Sequence, residues 1–256
     1  MILDKIVETK KEEVAQAKRE KPLAVLQGAI DELPPCRNFK AAISGTSCAI
    51  IAEVKCASPS RGRLVENFDP LKIAAAYGQN GAAAISVLTD EKYFKGCKEY
   101  LTQIKKEVKL PLLRKDFIID PYQIFESRVV GADAVLLIVR TLGARIGEFI
   151  GIAGQLGLAA LTEVHTAAEL EIAQAAGAGI IGINNRNLDT FVTDINTCKE
   201  LVRSIPAGIV TVAESGIRNR DDIENIIRSG IGAFLIGEAL VTSDDIGKKL
   251  KEFRGE

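Results

Sequence analysis

Several features that mark particular classes of protein are missing from this chain of 256 residues. It contains no tryptophan and a single histidine, His165, which argues against catalytic triads and metal sites built on histidine. No apolar run approaches the roughly 18 residues that a membrane-spanning helix requires. The net charge is −1, so no excess of positive charge is present to attract nucleic acid or a membrane surface.

The cysteines also lack a recognisable arrangement. They are odd in number and widely spaced, and none forms a Cys-x-x-Cys pair: Cys36, Cys48, Cys56, Cys97 and Cys198. We therefore expect reduced thiols, not a disulfide framework or a zinc site. The N-terminus is charged from Asp4 onward and lacks the apolar centre of a signal peptide. Together these features predict a cytoplasmic protein.

What the sequence does contain is the composition of an ordinary globular protein, with 47% hydrophobic and 26% charged residues. The segment 1–45 has a helical pattern that sets it apart from the remainder. On its first helix, the apolar face is formed by Ile2, Leu3, Ile6, Val14 and Ala17, and the opposite face by Lys10, Lys11, Glu12, Glu13, Lys18, Arg19 and Glu20. A second helix is predicted from Leu23 to Leu33, before Pro34. We predict an N-terminal helical extension that packs on the main body of one domain, 1–256.

Eight short apolar runs then recur at regular intervals and predict strands. They are Ala49–Val54, Ala83–Leu88, Leu110–Leu113, Ala134–Val139, Leu158–Leu161, Ile180–Ile183, Ile209–Ala213 and Ala233–Ile236. Helix-start patterns lie between them, including Asp69-Pro70 and a capping box at Thr166-Ala-Ala-Glu169. Continuous apolar strands alternating with helices indicate a parallel α/β sheet, and eight units close a (β/α)8 TIM barrel. An open doubly wound sheet is the alternative, but its Gly-x-Gly-x-x-Gly pattern is absent.

Barrel enzymes carry their active sites at the C-terminal ends of the strands. Here those ends carry Glu53, Lys55, Lys115, Glu163, Asn184, Arg186, Glu214, Ser215 and Glu238. Alternation puts Glu53 and Lys55 on the same face, inside the barrel, where a mutual ion pair is the simplest explanation. Lys115 has apolar neighbours, so we expect partial desolvation to lower its pKa, which suits a general acid. Any one charged strand end could simply meet water, but this many at one end predict a catalytic site.

Phosphate binding is indicated by a separate pattern in three loops. The segment Ser58-Pro-Ser60-Arg-Gly62 supplies hydroxyl groups after the first strand, and Ser215-Gly216 and Gly237 supply exposed backbone N–H groups. The loops after strands seven and eight are where barrels often hold phosphate. We therefore predict an anion site there, although glycines also suit ordinary turns.

In combination, these motifs resemble the indole-3-glycerol phosphate synthase family over nearly the whole chain. The matching segments are Ile51-Ala-Glu-Val-Lys55 with Ser58-Pro-Ser60, Leu88-Thr-Asp-Glu-Lys-Tyr-Phe94, Leu113-Arg-Lys-Asp-Phe117, Leu161-Thr-Glu-Val-His165, Ile183-Asn-Asn-Arg-Asn-Leu188 and Ala213-Glu-Ser-Gly216. The resemblance implies a carboxy-lyase of tryptophan biosynthesis that needs no cofactor or metal. Its substrate would be the phosphorylated small molecule 1-(2-carboxyphenylamino)-1-deoxy-D-ribulose 5-phosphate. Other enzymes of that pathway would be candidate protein partners.

The resemblance also implies roles for individual residues. Lys115 would be the general acid that activates the substrate carbonyl, and Glu163 the acid–base group of the dehydration, kept ionised between two lysines. Lys55 would lie near the substrate carboxylate, held by Glu53. The other implied residues are Asn184 and Arg186 at the anthranilate part, with Glu214 and Ser215 on the same side; Phe94, Phe117 and Leu188 as the wall of the ring; and Ser58, Gly216, Gly237 and the backbone of Glu238 around the phosphate.

Two alternatives and two departures from the family pattern accompany this interpretation. Another phosphosugar barrel, such as phosphoribosylanthranilate isomerase, would carry a cysteine and an aspartate at the strand ends, and a non-catalytic binding barrel would not need Lys115 and Glu163 together. Cys56-Ala57 stands where many relatives have a basic residue, and Arg61 where lysine is common, which bears on substrate affinity. His165 begins the loop before Thr166, so we expect it to lie outside the chemistry.

Overall fold

A computed structural model describes residues 2–187, 190 and 192–256. Within them, eight parallel strands pair with their neighbours in sequence, and the first also pairs with the last, so the barrel is closed. The strands are β1 (Ala49–Val54), β2 (Ala84–Leu88), β3 (Leu112–Lys115), β4 (Ala134–Ile138), β5 (Ala159–Val164), β6 (Ile180–Asn184), β7 (Val210–Glu214) and β8 (Ala233–Ile236). The predicted (β/α)8 TIM barrel is confirmed.

Helices surround the barrel and also precede it. Three come before β1: α1 (Ile2–Glu20), α2 (Leu23–Ile30) and α3 (Phe39–Ala42). The others are α4 (Pro70–Gln79), α5 (Glu91–Phe94), α6 (Glu99–Glu107), α7 (Pro121–Val129), α8 (Val139–Leu142), α9 (Ile146–Gln155), α10 (Ala167–Ala175), α11 (Asn196–Leu201), α12 (Arg220–Ile227), α13 (Glu238–Val241) and α14 (Ile246–Arg254). In the described part of the chain, no helix combines the length and the apolar character needed to cross a bilayer.

The hydrophobic core has two main parts, one on each side of the sheet. Ile51, Leu113 and Leu161 belong to the group that fills the barrel interior, together with Phe39 of α3. Ile85 and Phe149 belong to the larger group between strands and helices. The strands are therefore buried on both faces, which is why each is a continuous apolar run in the sequence.

The predicted start of the third strand was wrong. The strand begins at Leu112, not Leu110, and it ends at Lys115. Val108 caps the C-terminus of helix α6, where its N–H donates to the carbonyl of Ile104. Pro111 has no N–H to donate to a strand ladder, so the regular pairing starts only after it. Lys115 is the last residue of the strand, as the sequence indicated.

The predicted capping box at α10 is only half formed. The Thr166 hydroxyl accepts the N–H of Glu169, as expected. The carboxylate of Glu169, however, accepts the backbone N–H of His165 at 2.7 Å instead of that of Thr166. The side chain therefore reaches one residue further back and fixes the start of the loop that follows β5.

The N-terminal extension is attached to the barrel by a buried lysine. Helical periodicity placed Lys10 on the charged face of α1, but it is 3% exposed. Its ammonium lies 2.9 Å from Asp90 and 3.0 Å from Asp116, both of which are buried. Arg114 completes the cluster, 3.0 Å from Asp116. The prediction failed for Lys10 because the loops after β2 and β3 supply the carboxylates that make its burial favourable.

Candidate active site

A cavity of about 410 Å³ opens at the C-terminal ends of the strands. Its wall includes the three residues that the sequence predicted to converge, Lys55, Lys115 and Glu163. Lys115 and Glu163 belong to β3 and β5, and Lys55 directly follows β1; the parallel direction of these strands places all their C-terminal ends at the same side of the barrel. The cavity therefore brings together side chains that are distant in sequence.

Lys115 lies at the centre of a group of carboxylates. Its ammonium is 3.4 Å from Glu163 and 3.3 Å from Glu214. Burial by itself would lower the pKa of Lys115, but Glu214, Glu163 and Glu53 together raise it above the usual value. The expectation of a lowered pKa was therefore wrong, because three carboxylates from other strands outweigh desolvation. Lys115 enters any reaction as a protonated donor.

The two glutamates next to Lys115 differ in their ionisation. Burial would raise the pKa of Glu163, but Lys115 and His165 lower it, with help from the Asn184 amide. Glu163 is thus ionised, as expected, although the second cation is the histidine and not Lys55. In Glu214, burial raises the pKa to about 8 and Glu163 adds to the rise, although Lys115 opposes it. One carboxylate is a base and the other an acid at neutral pH.

The predicted pairing of Glu53 with Lys55 is present, with 3.5 Å between the carboxylate and the ammonium. Glu53 is 3% exposed, and its second oxygen has no hydrogen-bond partner among the described residues. A Cβ atom at Gly237 would lie 2.4 Å from the first oxygen. Gly237 is therefore needed to leave space for the carboxylate, a role that the sequence did not suggest.

Polar groups from β6 and β7 complete this side of the cavity. The side chain of Asn184 accepts the backbone N–H of Arg186 at 3.0 Å, and both residues line the cavity. Ser215 has a positive φ of 64°, which is uncommon outside glycine and is held here beside the site. The carbonyl of Ser215 accepts the amide of Asn185 at 3.1 Å, which ties the two loops together.

The family model of indole-3-glycerol phosphate synthase matches residues 3–253. The chain belongs to this family. An indole-3-glycerol phosphate synthase of Alkaliphilus metalliredigens is 47% identical over 99% of this chain and 98% of the relative. An indole-3-glycerol phosphate synthase of Chlorobium chlorochromatii is 48% identical over 95% of this chain and 96% of the relative. The resemblance inferred from the motifs is confirmed, and the isomerase and non-catalytic alternatives are set aside.

Solved structures with low identity share the barrel. Thiamine phosphate pyrophosphorylase of Pyrococcus furiosus has a TM-score of 0.60 at 19% identity, covering 82% of this chain and 95% of that chain. A chain of the tryptophan synthase complex of the same organism has a TM-score of 0.59 at 14% identity, covering 82% of this chain and 99% of that chain. At this level of identity the similarity concerns the fold alone.

The apolar wall of the synthase cavity comes from the barrel and from the N-terminal extension. The rings of Phe94 and Phe117 lie 6.0 Å apart, and both line the cavity. The ammonium of Lys55 lies 5.7 Å from the centre of the Phe94 ring. Leu188, also predicted for this wall, lies outside the described residues. The cavity is also lined by Ile2, Leu3 and Ile6 of α1. Their apolar spacing predicted that they pack on the barrel, but it did not indicate that they reach the cavity.

The residues predicted to bind phosphate are not all in the cavity wall. Gly216, Gly237 and Glu238 line it. Ser58 is absent from the wall that the described residues form, and its buried hydroxyl has no hydrogen-bond partner among them. Arg61, from the same loop, does line the cavity and pairs with the carboxylate of Glu238.

His165 contacts Glu163, and sequence reasoning missed this contact. Its side chain is 6% exposed and lies behind the cavity wall. Its Nε2 is 3.3 Å from the carboxylate of Glu163. Glu163 and His165 are separated by two positions along an extended segment, so alternation places them on the same face. That spacing is the pattern that could have identified the contact.

Proposed function

We propose that this cavity closes the ring of 1-(2-carboxyphenylamino)-1-deoxy-D-ribulose 5-phosphate and releases carbon dioxide and water, giving indole-3-glycerol phosphate. This is the reaction of the family, and it makes the enzyme a carboxy-lyase of tryptophan biosynthesis. The observation that carries the proposal is the ammonium of Lys115 between Glu163 and Glu214 inside the cavity. The chemistry needs a proton donor for a carbonyl oxygen and a separate acid–base pair for dehydration.

Ring closure requires a proton or a strong donor at the carbonyl oxygen as it gains negative charge. Lys115 fits this role because its raised pKa keeps it protonated. Lys55 supplies a second positive charge, which suits the substrate carboxylate before it leaves as carbon dioxide. Glu53 holds Lys55 by their 3.5 Å ion pair.

Dehydration requires a base that removes a proton from carbon and a donor for the departing hydroxyl group. Glu163 is the candidate base because its pKa is lowered. Glu214 and Lys115, which lie 3.3 Å apart in the cavity wall, are the candidate donors because the pKa of each is raised. One oxygen of Glu214 is buried without a hydrogen-bond partner among the described residues, so nothing there stabilises a negative charge on it, in keeping with a protonated carboxyl group.

The remaining residues fit substrate binding. Polar contacts to the anthranilate part would come from Asn184 and Arg186, with Ser215 on the same side. The apolar wall would be Phe94, Phe117 and Leu188, and exclusion of water there strengthens the electrostatic contacts. The phosphate would be held by Gly216, Gly237 and the backbone of Glu238, which line the cavity, whereas Ser58 is outside the wall that the described residues form. We expect no cofactor or metal to be needed.

The extension and the cellular setting are part of the same proposal. Residues 1–45 would act as a cover of the cavity within one domain, 1–256, since Ile2, Leu3 and Ile6 reach its wall. The cytoplasm would be the location, and other enzymes of tryptophan biosynthesis the candidate partners. Co-purification from cytoplasmic extract tests both statements.

The direct test follows the fluorescence of the indole product after substrate is added to purified protein without metal. We expect turnover, and a loss of at least about 100-fold in kcat for Lys115→Ala, the size expected for removing a general acid. Lys72→Ala is the matched control, because that lysine is 86% exposed on α4. Absence of product at saturating substrate would overturn the proposal.

A further inference from the structure

His165 lies between two carboxylates and is the only histidine of the chain. On one side its Nδ1 is 3.2 Å from Glu169, the residue whose carboxylate also accepts the His165 backbone N–H. On the other side its Nε2 is 3.3 Å from Glu163, at ion-pair distance but outside hydrogen-bond geometry. The ring is thus fixed by the first turn of α10 and directed at the end of β5.

This geometry favours the doubly protonated ring. A neutral imidazole would turn an unprotonated nitrogen towards one of the two carboxylates, whereas the imidazolium carries a positive charge within ion-pair distance of both. Burial lowers the pKa of His165, but Glu169, Glu163 and the more distant Glu214 raise it overall. The charge of the ring is therefore set by carboxylates from β5, α10 and β7.

Glu163 is correspondingly held by a cation at each oxygen. Oε1 faces His165 and Oε2 faces Lys115 at 3.4 Å. Glu163 lines the cavity, whereas His165 is not part of the wall formed by the described residues. The histidine can therefore act on the reaction only through the glutamate.

We propose that His165 is a positioning residue, whose imidazolium, anchored by Glu169, holds one oxygen of Glu163 so that the other faces Lys115 and the substrate. The proposal rests on the function given above for Glu163. It means that Glu163 is oriented and kept ionised from outside the cavity, by a charge that the substrate does not touch. Losing that charge should make Glu163 easier to protonate.

The test is the pH dependence of kcat for His165→Gln, which keeps a hydrogen-bond donor but removes the charge. We expect the midpoint of the acidic limb of the kcat profile to shift to higher pH by about one unit. On that limb kcat should therefore be about 10-fold lower than in the unmodified enzyme, and it should recover at higher pH. KM should stay within about two-fold, because no cavity residue is lost. Glu171→Gln, at an exposed position of the same helix, should match the unmodified enzyme.

A purely structural role would lower kcat by the same factor at every pH, and that result would overturn the proposal. A second measurement does not depend on a variant that folds. In protein labelled with 15N-histidine, the single ring should remain protonated above its ordinary pKa of about 6.5, and Glu169→Gln should lower its titration midpoint. A ring that titrates at or below about 6.5 would also overturn it. Failure of the proposed function would appear differently, as absence of product in the unmodified enzyme.

Discussion

Replacing Lys10 by methionine tests how the N-terminal extension is joined to the barrel. The side chains of Lys10, Asp90 and Asp116 are 4%, 0% and 2% exposed, so the substitution would leave two buried carboxylates. Removing one partner of a buried ion pair costs about 3–5 kcal/mol. Asp116 keeps Arg114 and the hydroxyl of Thr89, so we expect the lower end, about 3 kcal/mol.

For a chain of this length, that loss corresponds to a fall in Tm of about 6–12 °C. Urea unfolding and thermal melts of Lys10→Met should be compared with Lys11→Met, whose side chain is 60% exposed. The control should change the free energy of unfolding by less than about 0.5 kcal/mol. Equal midpoints for the two variants would refute the view that this cluster anchors the extension.

The same cluster predicts a pH dependence. Burial would raise the pKa of Asp116, but Arg114 and Lys10 lower it overall. A carboxylate with a lowered pKa stabilises the fold above its unfolded value of about 3.9, and this stabilisation is lost as pH falls further. The difference in the free energy of unfolding between Lys10→Met and the unmodified protein should therefore become smaller below about pH 4.

Three other changes probe the cavity. Ile6→Ala should raise KM about 10-fold with little change in kcat, because it removes apolar wall and no reacting group; steady-state kinetics showing an unchanged KM would contradict this. Because burial raises the pKa of Glu214 from 4.5 to about 8, the folded state retains a proton that the unfolded chain loses across that interval, so stability falls as pH rises. Glu214→Gln should therefore raise Tm, more at pH 8 than at pH 5, and an equal gain at both would count against it. Gly237→Ala should lower kcat/KM about 10- to 100-fold, because the added Cβ would lie 2.4 Å from Glu53, whereas Gly28→Ala, with no atom within 4 Å, should not.

The architecture and the convergence of the charged strand ends could be predicted from sequence because both depend on local patterns and on chain direction. Apolar runs buried on both faces gave the strands, and parallel pairing puts every strand end on one side. Lys55, Lys115 and Glu163 could thus be assigned to one cavity before any distance was known. The errors in the strand bounds were local as well. The third strand begins at Leu112, two residues later than predicted, because Pro111 has no N–H for strand pairing.

The charge states depend on the tertiary structure, since they are set by groups on different strands and helices. The pKa of Lys115 is raised, not lowered, because Glu53, Glu163 and Glu214 approach it from three other strands. Lys10 is buried because Asp90 and Asp116 come from loops far along the chain. Coulomb energies fall with distance in space, and sequence separation does not give that distance.

The amino-acid order alone therefore determined which side chains gather at the open end of the barrel, because alternation along a strand and parallel pairing between strands leave little freedom. Only the folded arrangement decided which of those groups carry a proton. Protonation follows from the sum of burial and of all neighbouring charges, and those neighbours come from every part of the chain.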